Sequence, residues 1–129
     1  MNLKQDSECG VEITVTSQYL QQKSNHLNNT YAFAYTVTIQ NNRLEPVRLL
    51  KRHWVITDQN NRMEEVKGKG VVGQQPLIKP GESFQYSSGT IIGSEIGDMK
   101  GSYTMQNDQG ETFEAPIPLF VLATPHMIH

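Results

Sequence analysis

The alternation of large apolar residues across residues 31–40 restricts the fold more than any other feature of this sequence. Every second position carries a bulky side chain: Tyr31, Phe33, Tyr35, Val37 and Ile39. A helix would distribute these side chains around its circumference, whereas a β-strand places them on one face. The segment therefore predicts a strand with a buried aromatic face. The small Ala32 and Ala34 between them predict a second packed surface or the close approach of another chain.

Shorter alternating segments recur along the chain and are separated by residues that favour turns. We predict further strands at residues 11–16, 47–57, 63–67, 84–88, 102–105 and 113–117. Asn107-Asp108-Gln109-Gly110 is the strongest hairpin signal, because Gly110 can take a left-handed conformation. Helical periodicity is almost absent. About seven short strands predict an all-β antiparallel sandwich, with a small barrel as the alternative.

Local irregularities add detail to this prediction. The alternation slips near Leu49-Leu50-Lys51, which indicates a β-bulge. Beyond the bulge, Trp54 and Ile56 share one face, and His53 and Val55 share the other. Prolines at two positions of the last strand, Pro116 and Pro118, imply that it is an edge strand or departs from the sheet.

Two segments are predicted to lie outside regular strands. Residues 21–29 are polar, carry no periodic apolar pattern and predict a loop. Residues 89–101 contain four glycines at regular intervals, which predict a mostly irregular segment. The glycines are Gly89, Gly93, Gly97 and Gly101.

Composition limits the class of protein. The 129 residues fit a single domain, with residues 1–10 as a loose lead-in and residues 123–129 as a C-terminal tail. The content of 36% hydrophobic and 19% charged residues is that of an ordinary globular domain. A formal net charge of -2 gives no electrostatic footprint for nucleic-acid binding.

Cysteine content and hydropathy indicate the cellular compartment. Cys9 is the single cysteine, so the chain can form no internal disulfide and no thiolate zinc site. Residues 1–8 lack the apolar core of a signal peptide, and no later segment has the length and apolarity of a membrane helix. We therefore expect a cytoplasmic location and no membrane partner.

A glycine-rich loop provides the first candidate site. Gly68, Gly70 and Gly73 match G-x-G-x-x-G, but Pro76 follows too soon for the helix of a dinucleotide-binding fold. Two interpretations remain. The loop forms a nest of backbone N–H groups that holds an anion with Lys67 and Lys69, or its glycines serve backbone geometry alone. In the second case Gln75 hydrogen-bonds the loop to itself.

Four motifs together resemble one family. They are Arg52-His53-Trp54, the loop from Gly68 to Pro76, the segment Pro80-Gly81-Glu82-x-Phe84-x-Tyr86-x-Ser88-Gly89, and Met99-x-Gly101-Ser102-Tyr103. In this combination, which spans roughly residues 11–129, the chain resembles the ApaG family. The resemblance implies a sandwich of the fibronectin type III or immunoglobulin type. It also implies an association with cobalt resistance and magnesium efflux, and protein recognition of the kind found in F-box substrate adaptors.

These observations lead to two functional hypotheses. The first is a non-enzymatic binding module without a cofactor, which recognises a protein partner through the glycine loop, His53 and Tyr86. The second is a sensor that binds a polyphosphate or diadenosine nucleotide at Gly68–Gly73. No G-x-S-x-G nucleophile motif is present. Free strand edges leave homodimerisation open.

A metal site at the C-terminus is a weaker hypothesis. His126 and His129 could face each other if the tail were helical, with His26 or an acidic residue completing the shell. We favour a non-binding tail, and therefore predict no metal ligands.

Overall fold

The computed structural model describes residues 8–127 and consists of strands joined by short connections. The strands are β1 (Val11–Tyr19), β2 (Tyr31–Asn41), β3 (Val47–Asp58), β4 (Met63–Lys69), β5 (Leu77–Ile78), β6 (Ser83–Ile92), β7 (Ile96–Gln106) and β8 (Thr112–Ala123). Three single turns of 3₁₀-helix, Gln21–Lys23, His26–Asn28 and Pro125–Met127, complete the secondary structure. Within the described residues no helix has the length and apolarity needed to cross a membrane.

The strands form two antiparallel sheets that pack as a sandwich. One sheet has the order β1-β2-β6, and the other has the order β4-β3-β7-β8 with β5 paired to β3. The prediction of an all-β antiparallel sandwich without a disulfide is therefore confirmed. The predicted loop at 21–29 is a connection with two of the 3₁₀ turns, in which the side chain of Asn25 accepts hydrogen bonds from the backbone N–H groups of Leu27 and Asn28.

The core lies between the sheets and is centred on aromatic side chains. The alternating residues of β2 are all buried, as predicted from their spacing. Trp54 contacts the rings of Tyr35, Tyr103 and Phe120 at centroid distances of 5.3, 6.3 and 5.9 Å. Each such buried side chain contributes roughly 1.5–3 kcal/mol through removal of apolar surface from water. Aromatic packing thus stabilises a core that contains no disulfide.

The prediction of an irregular segment at residues 89–101 is wrong. These residues belong to the long strands β6 and β7 and to the short turn between them. Two of the glycines allow neighbouring backbones to approach closely. A Cβ at Gly97 would lie 2.5 Å from the carbonyl oxygen of Thr57, and a Cβ at Gly101 would overlap the carbonyl oxygen of His53. Glycine here permits close strand packing and does not interrupt the sheet.

Other local predictions are confirmed. The pairing of β3 with β7 shifts register between Leu49 and Lys51, which is the predicted bulge. Gly110 has a φ of 83° in the turn between β7 and β8. β8, which carries both prolines, lies at the edge of its sheet.

Candidate functional site

The outer face of the five-stranded sheet carries an open cleft of about 670 Å³. Strand register explains which side chains meet there. Lys51 of β3 pairs with Lys69 of β4 and Thr104 of β7, and Thr104 pairs with Glu114 of β8. One row further along, His53 pairs with Lys67 and Ser102. Since directly opposed residues share a face of a sheet, both rows project into the cleft.

The charge of the cleft is predominantly positive. Its lining contains three outward lysines, Lys51, Lys67 and Lys69, and the carboxylate of Glu114, while Glu65 lies at its rim. The Glu114 carboxylate accepts hydrogen bonds from Ser102 Oγ at 3.2 Å and Thr104 Oγ1 at 2.8 Å. The three lysines are exposed. The chain as a whole has a formal charge of -2, so this excess of cations is a local feature.

His53 forms a hydrogen bond with Glu65 at the rim of the cleft. Its Nε2 lies 2.6 Å from Glu65 Oε2, and Lys67 Nζ lies 4.0 Å from the same oxygen. The hydrogen bond from His53, followed by the charge of Lys67, lowers the pKa of the Glu65 carboxyl below its ordinary value. The pair fixes the imidazole beside the lysines.

The glycine loop owes its shape to internal hydrogen bonds. The N–H of Gly70 donates to the carbonyl of Leu50 at 2.8 Å, and Val71 and Gln74 exchange two N–H to carbonyl bonds, also at 2.8 Å. Gln75 Nε2 donates to the same Leu50 carbonyl at 3.0 Å. Because these backbone N–H groups are already paired, they cannot also surround an anion. The arrangement supports the interpretation that the glycines serve backbone geometry.

Each glycine of the motif has a different role. Gly70 and Gly73 have φ values of 66° and 79°, as expected for a loop that needs left-handed conformations. Gly68 belongs to β4 and lies under the guanidinium of Arg52, whose carbon and two terminal nitrogens would each be 2.7 Å from a Cβ at this position. Val72 also has a positive φ of 42°, which its β-branched side chain gave no reason to expect.

The structure brings most of the predicted binding residues together. Lys67, Gly68, Lys69, Gln75 and His53 line the cleft, and Gly70 and Gly73 shape the adjacent loop.

Tyr86 does not belong to this surface. It is buried between the sheets, where its hydroxyl bonds with that of Tyr103. The alternation of β6 explains the difference, because Tyr86 points to the inner side of the sheet together with Phe84 and Ile92. Burial raises the pKa of Tyr86 to about 12.

Sequence reasoning missed several cleft residues: Lys51, Arg52, Ser102, Thr104 and Glu114. The outward positions of β3 and β7 could be assigned from alternation alone. Which of them lie side by side depends on two registers, that of β3 with β7 and that of β7 with β8. The bulge between Leu49 and Lys51 shifts the first of these. Alternation within one strand carries no information about its neighbour's register.

The C-terminal metal hypothesis gains no support from the described residues. The imidazole of His126 contacts the carboxylate of Glu95, and His129 lies outside residues 8–127. Over that range no three His, Cys, Asp or Glu side chains are grouped closely enough to hold one metal ion.

Fold and cleft together define a class: a small all-β sandwich domain with a basic cleft on the outer face of one sheet. The family model described as the ApaG domain matches residues 21–107. Relatives named Protein ApaG include one from Pseudomonas syringae pv. tomato, 48% identical over 124 residues, which covers 96% of this chain and 98% of the relative. Another, from Dechloromonas aromatica, is 50% identical over 119 residues, with 92% and 94% covered.

Solved structures give the same result. An X-ray structure of a Northeast Structural Genomics Consortium target has a TM-score of 0.89 and 41% identity, and the match covers 95% of this chain and 93% of the other. A Bordetella pertussis protein assigned as ApaA has a TM-score of 0.87 and 45% identity, with 89% and 94% covered. The chain belongs to the ApaG family, which confirms the resemblance seen in its motifs.

Proposed function

We propose that the chain is a non-enzymatic binding module whose basic cleft recognises an acidic segment of a partner protein. The observation that carries this proposal is the cluster of three exposed lysines, Lys51, Lys67 and Lys69, which line one cleft with the single carboxylate of Glu114. Carboxylates of a partner would pair with exposed ammonium groups at the rim, which favours encounter and orientation. The cobalt and magnesium association implied by the family resemblance would then act through that partner, in the cytoplasm.

The surroundings of His53 favour binding over catalysis. Within the described residues its side chain bonds with Glu65, and no Ser, Thr or Cys hydroxyl or thiol lies at hydrogen-bond distance from it. Ser102, directly opposite on β7, donates to Glu114 instead. A histidine in this arrangement does not activate a nucleophile, whereas it can orient the neighbouring charges.

A polyphosphate or diadenosine nucleotide is the second candidate ligand. The exposed ammonium groups of Lys67 and Lys69 on one side of the glycine loop favour it. The paired N–H groups of Gly70, Val71 and Gln74 weigh against it, because phosphate sites in glycine loops use such groups as donors. Lysine side chains alone would have to hold the phosphates, so the acidic protein segment is the first choice.

The first prediction concerns the two loop lysines. A Lys67→Ala, Lys69→Ala double variant should bind a fluorescein-labelled oligoglutamate peptide at least about tenfold more weakly than the unaltered protein, as measured by fluorescence anisotropy. Both side chains are exposed, so the fold should be unaffected. Lys23→Ala, Lys79→Ala is a matched control, since it removes the same charge from exposed positions outside the cleft.

The control decides the interpretation. If both double variants lose the same affinity, binding reflects overall charge, and the assignment to the cleft is wrong. If the cleft variant retains full affinity, the peptide binds elsewhere and the proposal fails.

A further inference from the structure

The edges of the two sheets differ in how they are protected from pairing with other chains. β8 carries two prolines, and Ser17 of β1 bonds across to the Val121 carbonyl of β8 at 3.2 Å, so these two edges adjoin. β4 is an edge strand with four charged residues among seven. β6 is an edge strand of ten residues that contains neither a charge nor a proline. Charges and prolines usually protect an exposed edge strand from pairing with another chain. The edge of β6 lacks this protection.

The hydrogen-bond pattern shows which groups of β6 face outward. The N–H of Asn41 on β2 donates to the carbonyl of Glu82 at 3.0 Å, and pairs in an antiparallel ladder alternate between bonded and non-bonded. Phe84, Tyr86, Ser88, Thr90 and Ile92 therefore bond to β2. The N–H and carbonyl groups of Gln85, Ser87, Gly89 and Ile91 point away from the sheet, available to another strand.

A groove runs beside this edge, between β6 and β4. Its first part, about 260 Å³, has Tyr35 and Trp54 at its base and Ser88 and Thr90 on one wall. It continues past Ile91 and Met63, which are 60% and 71% exposed, into a second part of about 350 Å³. The base is aromatic, and the far end combines apolar side chains with the charged Asp58, Arg62 and Glu64. The aromatic base suits a side chain that projects inward from an added strand.

Arg52 supplies the charge of the groove. Its Nη1 donates to the carbonyls of Lys69 and Gly70 at 3.1 and 3.0 Å. Across residues 8–127 no carboxylate lies within 4.0 Å of this guanidinium, and its Nε and Nη2 make no hydrogen bond. Glu64 also lines the groove but does not pair with Arg52. Arg52 is half-buried and has free N–H donors on its planar guanidinium. Such a group favours binding of a carboxylate.

We propose that an extended segment of a partner protein adds to the free edge of β6 as an antiparallel strand, with an acidic side chain directed at Arg52. On the added strand, the residue directly opposite Ser88 points to the same side of the sheet as Ser88, which is the side of the groove. It therefore reaches the part of the groove above Tyr35 and Trp54. Main-chain hydrogen bonds provide affinity, and the alternate side chains provide selectivity. This site is distinct from the outer cleft, with Arg52 at the boundary of both.

The test uses a synthetic peptide of about seven residues. Glutamate stands at its centre, a valine stands two positions away on each side, and threonine fills the remaining positions, with both ends blocked. Amide NMR of the labelled protein should show saturable shifts along β6, and the outward N–H groups of Gln85, Ser87, Gly89 and Ile91 should exchange more slowly with solvent. A peptide with glutamine in place of glutamate should bind roughly tenfold more weakly.

Protein variants separate strand addition from other modes of binding. Ser87→Pro removes one outward N–H at an edge position that tolerates proline, and it should abolish binding. Ser87→Ala is its matched control, since both lose the hydroxyl that bonds with Thr36 at 2.8 Å and only the proline loses the N–H. A peptide N-methylated on the bonds that face β6 gives the same test without altering the protein.

The outcomes are decisive in either direction. Equal binding by Ser87→Pro and Ser87→Ala, or equal binding of the N-methylated peptide, would overturn the proposal. Shifts confined to residues away from β6 and the adjoining groove would also overturn it, as would the absence of shifts at millimolar peptide. The Lys67→Ala, Lys69→Ala variant should bind this peptide normally. Loss there alone would place the peptide in the outer cleft, which would support the proposed function and refute the edge site.

Discussion

A pair of tyrosine hydroxyl groups is buried in the core between the two sheets. Tyr86 and Tyr103 are 8% and 0% exposed, and their hydroxyls bond to each other between the sheets. Burial raises the pKa of both groups, and the neighbouring tyrosine charge raises that of Tyr103 further. Both hydroxyls therefore remain protonated at physiological pH. Their mutual bond satisfies two groups that would otherwise be costly to bury.

The hydroxyl pair leads to a prediction for stability. Tyr86→Phe and Tyr103→Phe should each lower the free energy of unfolding by about 1–3 kcal/mol, because each leaves one buried hydroxyl without its partner. The double variant should be less destabilised than the sum of the two single variants, since it leaves no unpaired group. Chemical denaturation of the four proteins measures this coupling. Additive losses would show that the two hydroxyls do not depend on each other.

At the scale of single elements, the loop after β4 is held by a few specific contacts with β3. Arg52 reaches the carbonyls of Lys69 and Gly70, Arg48 donates to the Gln75 carbonyl at 2.8 Å, and Gln75 bonds back to Leu50. These bonds make the loop a rigid wall of the outer cleft. Replacing its glycines should therefore destabilise the protein by different amounts, which tests whether the loop is rigid.

Gly70 and Gly73 have similar positive φ values but different surroundings. A Cβ at Gly70 would overlap the carbonyl oxygen of Gln74, whereas none of the surrounding atoms lies within 4 Å of one at Gly73. Gly73→Ala should therefore lower the free energy of unfolding by about 1–2 kcal/mol, because only the left-handed conformation is unfavourable. Gly70→Ala should lower it by roughly 3 kcal/mol or more, because the overlap with Gln74 adds to that effect. Thermal or chemical denaturation compares them. Equal losses would mean that the loop relaxes freely and is not rigid.

The same elements show what the sequence alone could predict. The aromatic alternation of β2 was sufficient because burial on one face of a strand is visible within a single segment. The irregular segment was wrongly predicted because glycine serves both turns and close backbone contacts, and Gly97 and Gly101 serve the latter. Whether a backbone approaches closely is a property of the neighbouring strand.

The binding surface was predicted less completely than the fold. Lys67 and Lys69 were found because they adjoin a conspicuous motif. Lys51 and Glu114 lie far away in sequence and reach the cleft through strand register, which depends on the β3 bulge. Tyr86 was misplaced because an aromatic residue beside a motif can face either side of its strand, and in β6 it faces the core.

At the scale of the whole molecule, the sandwich separates two surfaces with different recognition chemistry. The outer cleft offers exposed ammonium groups on the face of a complete sheet, which suits flexible acidic segments. The free edge of β6 offers main-chain groups and an aromatic groove, which suits an extended strand. Strands β3 and β4 contribute to both surfaces.

The most direct test of the central claim is an amide NMR titration of the labelled protein at physiological salt. One series uses the oligoglutamate peptide, and a second uses diadenosine tetraphosphate with and without magnesium. We predict saturable shifts with the peptide at Lys51, His53, Lys67, Lys69 and Thr104, which share the outer cleft. Shifts confined to Gly68–Gln75 with the nucleotide, and none with the peptide, would contradict the account and identify a small-ligand sensor instead.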